Sequence, residues 1–223
     1  MAAGVPSGAD RLRLADWRRQ VADLYAEVRV RATTDPEAAW TLWRATRERL
    51  FREHPDSPVP ATQRASFEAR HWPYDERLRF VLPVLDEAPE PSSGIRLSTA
   101  PGLTLQLPMS VGDALDFGRI GWIEVPFAAG PRRLALYWMA GYAGGLFLPF
   151  RDLTNGDATY AAGRYLLDTA KSADLGADER SRLVIDFNFA FHPSCAFDPV
   201  WSCPLAPPEN RLDLPIEAGE RLR

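Results

Sequence analysis

The sequence contains almost no lysine, because Lys171 is the only one and arginine supplies the other positive charges. We attribute this bias to a GC-rich bacterial genome. The net charge at pH 7 is −4, which gives no reason to expect nucleic-acid binding. No run approaches the roughly 18 apolar residues of a membrane-spanning helix, and the N-terminus lacks the apolar core of a signal peptide. We therefore expect a cytoplasmic protein with no nucleic-acid or membrane partner.

Cysteine and histidine are also scarce, with two and three residues respectively. Two cysteines do not make a disulfide framework. The histidines, His54, His71 and His192, are widely spaced, and the chain has neither a P-loop nor the spacing of a Ser-His-Asp triad. The sequence therefore predicts no metal site and identifies no cofactor.

Helical periodicity dominates the first quarter of the chain. Apolar residues recur at three- and four-residue steps, which predicts an amphipathic helix over about residues 10–31. The Asp-Pro pair at 35–36 provides an N-cap and a first helical residue, and the second helix runs to about His54. We predict a disordered leader over residues 1–9 and a helix pair over residues 10–58.

Beyond the helix pair, the apolar period changes from helical to two-residue alternation. Many short strands without helices between them favour an antiparallel barrel or sandwich. We predict an α+β fold, in which the helix pair is followed by a mostly antiparallel β-barrel or sandwich-like core over residues 59–223. The predicted strands lie near residues 78–84, 103–107, 117–127, 132–140, 145–150, 163–168 and 182–188, with an eighth at 212–216 and a hairpin turn at 128–131.

The rest of the chain is organised around the stretch from Leu183 to Arg221. Alternation after Leu183 places Asp186 and Asn188 on one side of a strand end. Three prolines then forbid regular pairing, so residues 192–208 are expected to form a long loop. Loops of this length are usually functional or disordered, and the aromatic and cysteine content argues against disorder. We expect the Asp186–Asn210 segment to cap one end of a pocket.

Cys195 and Cys203 admit four interpretations. They could bind zinc or iron together with His192, although the paired knuckles of structural zinc sites are missing. They could form a disulfide, which a cytosolic setting disfavours. One of them could be a reactive thiol activated by a nearby cation. Both could simply pack as small apolar residues under the loop.

The polar residues of this region also admit alternatives. Asp186 could hold the loop by accepting hydrogen bonds from backbone N–H groups, or it could act as a general base. Arg164, beside Tyr160, could pair with Asp186 or Glu209, or could clamp an anionic ligand. The sequence leaves both choices open.

The C-terminal half resembles a prokaryotic family of proteins of unknown function, domain of unknown function 1684 (DUF1684). The motifs that carry the resemblance are Phe150-x-Asp152-x-Thr154-x-Gly156, Thr159-Tyr160-x2-Gly163-Arg164-Tyr165-Leu166, Asp186-Phe187-Asn188-x-Ala190, Pro193-x-Cys195-Ala196-Phe197, Cys203-Pro204-Leu205 and Pro207-x-Glu209-Asn210-Arg211-Leu212. Weaker similarity extends back to about residue 40. The resemblance implies a shared fold and a shared surface at this loop but no known activity. His192 stands where the family pattern usually has Asn, which weakens the metal interpretation.

Three functional hypotheses follow. The first is a small-molecule-binding protein whose ligand contacts come from polar residues near the capping loop: Tyr160, Arg164, Asn188, His192, Cys203, Glu209 and Asn210. The second is a thiol- or carboxylate-dependent enzyme, hydrolytic or redox, with Cys195 or Asp186 as its catalytic residue. The third is an interaction module that uses tryptophans of the N-terminal helices.

Overall fold

A computed structural model describes residues 7–86, 104–112, 115–142 and 144–222. In these residues two helices precede a set of mostly antiparallel strands, so the fold is α+β as predicted. The helices are α1 (Gly8–Arg31) and α2 (Pro36–Glu53), and the strands are β1 (Arg70–His71), β2 (Arg79–Leu82), β3 (Thr104–Leu107), β4 (Leu115–Phe127), β5 (Gly130–Met139), β6 (Gly145–Phe150), β7 (Arg164–Asp168), β8 (Leu183–Asp186) and β9 (Glu220–Arg221).

Local capping defines where both helices begin. The Ser7 hydroxyl accepts from the Asp10 N–H at 3.2 Å, and the Asp10 carboxylate accepts from the Ser7 N–H at 2.6 Å. This capping box starts α1 at Gly8, inside the predicted leader, of which residues 1–6 lie outside the described residues. Asp35 caps α2 as predicted, with its carboxylate 2.9 Å from the Ala38 N–H.

The main sheet contains five antiparallel strands in the order β3-β4-β5-β6-β7 and curls into a half-barrel. The predicted hairpin turn lies between β4 and β5, where Phe127 pairs with Gly130. Gly130 has a φ of 101°, which glycine adopts without strain. Two smaller antiparallel sheets pair β2 with β8 and β1 with β9. Leu103, the first residue of the predicted third strand, lies outside the described residues.

The predicted strand at 212–216 is wrong. Leu212 and Ile216 are buried, as their alternation suggested, but residues 212–216 form no ladder. Pro215 has no N–H to donate, and the Ile216 carbonyl accepts instead from the Arg164 guanidinium at 2.8 Å. The backbone bonds of this stretch to residues 151–153 are isolated, with the Leu212 N–H donating to the Arg151 carbonyl at 2.8 Å, and the next ladder is at β9.

The two faces of the sheet support two separate cores. On β5, Ala135 and Tyr137 belong to the core that includes the helix pair, whereas Leu134 and Leu136 belong to the core that includes the β2–β8 ribbon. Successive strand residues point to opposite faces, so β5 is buried on both sides. The helix pair therefore shares a hydrophobic core with the sheet.

Trp40 connects α2 directly to the capping segment, since its indole Nε1–H donates to the Asn188 carbonyl at 2.9 Å. We expect Trp40→Phe to lower the free energy of unfolding by about 1–3 kcal/mol, because a buried acceptor loses its donor. Trp138→Phe, at an indole that is 46 % exposed, should cost less than about 0.5 kcal/mol. Chemical denaturation measures both values, and equal losses would contradict a structural role for the indole bond.

Candidate functional site

The capping segment, Asp186–Asn210, lies at the end of β8 and contains three short 3₁₀ turns joined by irregular backbone. Strand β8 stops at Asp186 because its carboxylate accepts from the Asn188 N–H at 3.0 Å and caps the first turn. Further along, the Tyr165 N–H donates to the Phe191 carbonyl at 2.9 Å. The predicted long loop is thus an ordered segment attached to β7.

Asp186 is almost fully buried in a polar network. Its Oδ1 accepts from the Asn188 side-chain amide at 2.8 Å, and its Oδ2 lies 3.1 Å from Nη1 of Arg79. The Tyr74 hydroxyl lies 3.5 Å from the same Oδ2. Burial raises the pKa of Asp186 above its usual range, although Asn188 and Arg79 oppose that shift. The network ties β2 to β8.

Two buried asparagines act as substitutes for backbone partners. The Asn188 amide accepts from the Asp75 N–H and donates to the Asp75 carbonyl, both at 2.8 Å. The Asn210 amide accepts from the Ala135 N–H at 2.7 Å and donates to the carbonyls of Ala135 and Pro149 at 2.9 and 2.7 Å. These bonds attach the capping segment to Asp75, between β1 and β2, at one end and to β5 and β6 at the other.

Arg164 lies at the centre of a second buried network. Its guanidinium forms an ion pair with Asp152, with Nη2 2.7 Å from Oδ2. It also donates to the carbonyls of Ile216, Ala218 and Glu220. Of the alternatives left open for Arg164, pairing with Asp186 or Glu209 is not what the structure shows, because its carboxylate partner is Asp152.

Glu209 has a different partner from the one considered for it. Its Oε1 accepts from the Tyr137 hydroxyl at 2.6 Å. Burial and this bond to a carboxylate raise the pKa of Tyr137 far above its usual value. The Pro208–Asn210 turn is therefore fastened to β5 by both Glu209 and Asn210.

His192 and Glu220 form a third buried network together with Arg47 of α2. The Glu220 carboxylate accepts from the Arg47 guanidinium and, at 2.7 Å, from the His192 backbone N–H. The His192 ring has Nδ1 3.5 Å from this carboxylate and Nε2 3.2 Å from the Tyr160 N–H. Since a backbone N–H can only donate, Nε2 is the acceptor and the proton is on Nδ1.

Electrostatics keep this histidine neutral and this glutamate charged. Burial lowers the pKa of His192 to about 4. Burial alone would raise the pKa of Glu220, but the charge and hydrogen bond of Arg47 lower it to about 2. The backbone at Gly219 passes close to the Ala190 carbonyl oxygen, from which a Cβ at residue 219 would lie only 2.5 Å away. Glycine allows this approach, since it has no Cβ and adopts the φ of 75° without strain.

An open groove of about 420 Å³ lies against this network. Residues 66–70 form one wall, and His192, Ala196 and Phe197 contribute from the capping segment. Arg70 and Arg221 are both exposed and are directly opposite each other on β1 and β9. Neither guanidinium forms an ion pair with a carboxylate of the described residues. Sequence reasoning missed this pair, because the two arginines are far apart in the chain and no local motif surrounds them.

Cys195 and Cys203 lie side by side as free, buried thiols. The Cys195 N–H donates to Sγ of Cys203 at 3.4 Å. Hydrogen bonds from Cys203, Ser110 and Tyr160 lower the pKa of the Cys195 thiol to about 6, although burial opposes the shift. The same contact with Cys195 raises the pKa of Cys203 well above that of a free thiol. The contact therefore favours the thiolate on Cys195 over the thiolate on Cys203.

The predicted site residues thus fall into separate places. Tyr160 joins the thiol pair to His192, because its N–H bonds the imidazole and its hydroxyl bonds Cys195. His192 does not face the cysteines with a free nitrogen, and no cluster of three His, Cys, Asp or Glu side chains suited to a metal ion occurs among the described residues. The remaining predicted ligand contacts, Arg164, Asn188, Glu209 and Asn210, bond protein groups elsewhere in the fold.

The helices of the described chain include none with the length and apolar character needed to cross a membrane. A search of the curated proteins found no match. A solution NMR structure of an uncharacterised protein from Haloarcula marismortui is similar, with 27 % sequence identity and a TM-score of 0.58. The alignment covers 85 % of this chain and 95 % of the archaeal one.

A family model described as "Protein of unknown function (DUF1684)" matches residues 69–221. That range spans β1 to β9 and includes the capping segment, the thiol pair and both arginines of the groove. It begins after the helix pair. Because the match covers more than half of the sequence, the chain belongs to the DUF1684 family.

Proposed function

We propose that the protein binds a small anionic molecule, with a carboxylate or phosphate group, in the groove between Arg70 and Arg221. The observation that carries this proposal is the pairing of two exposed arginines without carboxylate partners across β1 and β9. Like charges directly opposite each other destabilise a sheet. An anion between two guanidinium groups removes that repulsion and accepts charge-assisted hydrogen bonds.

The groove has the character of a ligand site. Its volume of about 420 Å³ lies within the usual size range of small-molecule pockets. The rings of Phe67 and Phe197, with centroids 5.8 Å apart, provide apolar surface beside the charged groups. Glu220 and His192 form a rigid part of the wall because Arg47 and Tyr160 already satisfy them. Binding would therefore require little reorganisation of the wall.

The other predicted polar residues have a supporting part in this proposal. Arg164, Asn188 and Asn210 bond backbone groups of neighbouring segments. We propose that they position the capping segment, which contributes His192 and Phe197 to the groove, and that they do not contact the ligand themselves.

The experiment is an NMR titration of the full chain with inorganic phosphate and, separately, with citrate. We expect saturable shifts of the side-chain Nε–H resonances of Arg70 and Arg221. Arg70→Gln and Arg221→Gln should each weaken binding about ten-fold or more, because each removes a charge-assisted bond. Both side chains are exposed and each substitution relieves the repulsion between them, so both variants should melt at or slightly above the wild-type temperature.

Glu68 provides a control of opposite sign, because its exposed carboxylate also lines the groove. Glu68→Gln removes a competing negative charge and should tighten anion binding. Arg180→Gln, at an exposed arginine that does not line the groove, should leave binding unchanged. Wild-type affinity for both anions in both the Arg70 and Arg221 variants would refute the proposal.

A further inference from the structure

We infer that Cys195 and Cys203 form a redox-active dithiol that reduces a hydroperoxide and closes to an intramolecular disulfide. This activity does not depend on the groove, since neither cysteine lines it. Cys195 and Cys203 are already in contact, because the Cys195 N–H donates to the sulfur of Cys203 at 3.4 Å. The two sulfurs are adjacent before any reaction.

Backbone and side-chain hydrogen bonds hold the two cysteines in this position. Cys195 lies in the 3₁₀ turn Ser194–Ala196. The Cys203 N–H donates to the Ser110 hydroxyl at 3.0 Å, and the Ser110 N–H donates to the Cys203 carbonyl at 2.9 Å. The Leu205 N–H adds a bond to the Pro108 carbonyl at 2.9 Å. Both sides of Cys203 are therefore tied to the 108–110 segment.

The immediate surroundings of the sulfurs are polar, unlike those of cysteines that fill apolar core. The hydroxyls of Ser110 and Tyr160 and the Cys203 thiol all act on Cys195. Hydrogen-bond donors of this kind favour the thiolate, which is the nucleophilic form of cysteine. Cys195 is 6 % exposed and Cys203 is 2 % exposed, so a reagent as small as hydrogen peroxide reaches Cys195 first.

The reaction balances as two steps. The Cys195 thiolate attacks the terminal oxygen of the hydroperoxide, the O–O bond breaks, and the departing alkoxide takes a proton to become an alcohol. Cys195 is then a sulfenic acid. The Cys203 sulfur attacks the Cys195 sulfur, the S–O bond breaks, and hydroxide leaves with the Cys203 proton as water. Two electrons pass from the dithiol to the peroxide, and a dithiol reductant such as dithiothreitol returns them.

The test treats the reduced full-length protein with one equivalent of hydrogen peroxide at pH 7 and follows the intact mass. Wild type should lose about 2 Da as the disulfide forms, and dithiothreitol should restore the original mass. Cys203→Ser should stop at the sulfenic acid, a gain of about 16 Da that dimedone captures. Cys195→Ser should react at least about ten-fold more slowly, because Cys203 is only 2 % exposed and the hydroxyls of Ser110 and Tyr160 stabilise the thiolate of Cys195.

Tyr160→Phe separates an activated thiol from one that is merely accessible. It removes a hydroxyl that stabilises the Cys195 thiolate, so the pH midpoint of iodoacetamide alkylation should move upward while exposure is unchanged. All three substitutions nearly preserve side-chain volume, and melting curves verify that the variants fold. Two thiols that resist both peroxide and iodoacetamide until the protein is denatured would overturn the inference.

Discussion

Arg164→Met is expected to lower the free energy of unfolding by about 3–5 kcal/mol, the range for removing one partner of a buried ion pair. The substitution leaves the buried Asp152 carboxylate without its cation. It also leaves the carbonyls of Ile216, Ala218 and Glu220 without their shared donor. These carbonyls run from the end of the 212–216 stretch, which forms no ladder, to the first residue of β9, so the guanidinium holds the chain between them.

Chemical denaturation measures this loss of stability. Two further variants test whether the buried ion pair is its cause. Arg164→Met with Asp152→Leu should recover part of the stability, because the unpaired charge is removed as well. Arg132→Met breaks a surface pair with the exposed Asp213 and should cost less than about 1 kcal/mol. Losses of the same size in the Arg164 and Arg132 variants would show that the buried network is not what holds the C-terminal stretch.

The second large effect is a loss of stability in mild acid. His71 and His192 are buried and neutral, and burial lowers the pKa of each from 6.5 to about 4. Between those values the unfolded chain binds protons that the folded protein does not, so stability falls as pH falls from 6.5 towards 4. By this linkage each histidine costs roughly 2 kcal/mol at pH 5 relative to pH 8, about 4 kcal/mol together.

Glu220 extends the loss to lower pH with the same sign. Its pKa falls from 4.5 to about 2 in the folded protein, mainly through Arg47 against the opposing effect of burial. The stability that it contributes is complete above pH 4.5 and is lost as the pH falls from 4.5 towards 2. Protonation of Glu220 also weakens the bonds to Arg47 and the His192 N–H, so this carboxylate adds to the loss only below pH 4.5.

Urea denaturation at several pH values tests this prediction. The free energy of unfolding should fall gently from pH 8 to about 7, because the lowered pKa of Cys195 favours the folded protein at higher pH, and should then fall more steeply as the histidines contribute. His192→Asn, which installs the residue usual in the family pattern, should remove about half of the slope between pH 6.5 and 4. His54→Asn is the control, because the His54 ring bonds Asp16 and the Asp56 N–H outside this network, so the slope should remain. A wild-type curve that is flat down to pH 5 would contradict buried neutral histidines.

The features that the sequence predicted correctly depend on interactions between residues that are close together in the chain. Asp35 and Pro36 start a helix through neighbours within one turn, and a two-residue period marks strands wherever each residue alternates between sheet faces. Proline spacing likewise revealed the capping segment, because proline excludes ladder pairing whatever its surroundings. Each of these rules acts over a few residues, so no knowledge of distant segments was needed.

Polar partners that are distant in the sequence could not be predicted by local rules. Arg164 could have paired with any of several carboxylates, and only the tertiary structure brings Asp152 to it. The same holds for the Leu212–Ile216 stretch, whose alternation matched a strand although it makes only isolated bonds to residues 151–153. Burial sets the need for a partner, but the choice depends on which segments fold together.

The helix pair, the antiparallel β core, the capping segment and the family could all be predicted from the amino-acid sequence. Only the tertiary structure decided the polar partners: Arg70 opposite Arg221, Cys195 against Cys203, and His192 between Glu220 and the Tyr160 N–H. The difference lies in how far apart in the sequence the interacting residues are. Capping, periodicity and proline effects operate between near neighbours, whereas ion pairs and thiol contacts join residues that come together only when the chain has folded.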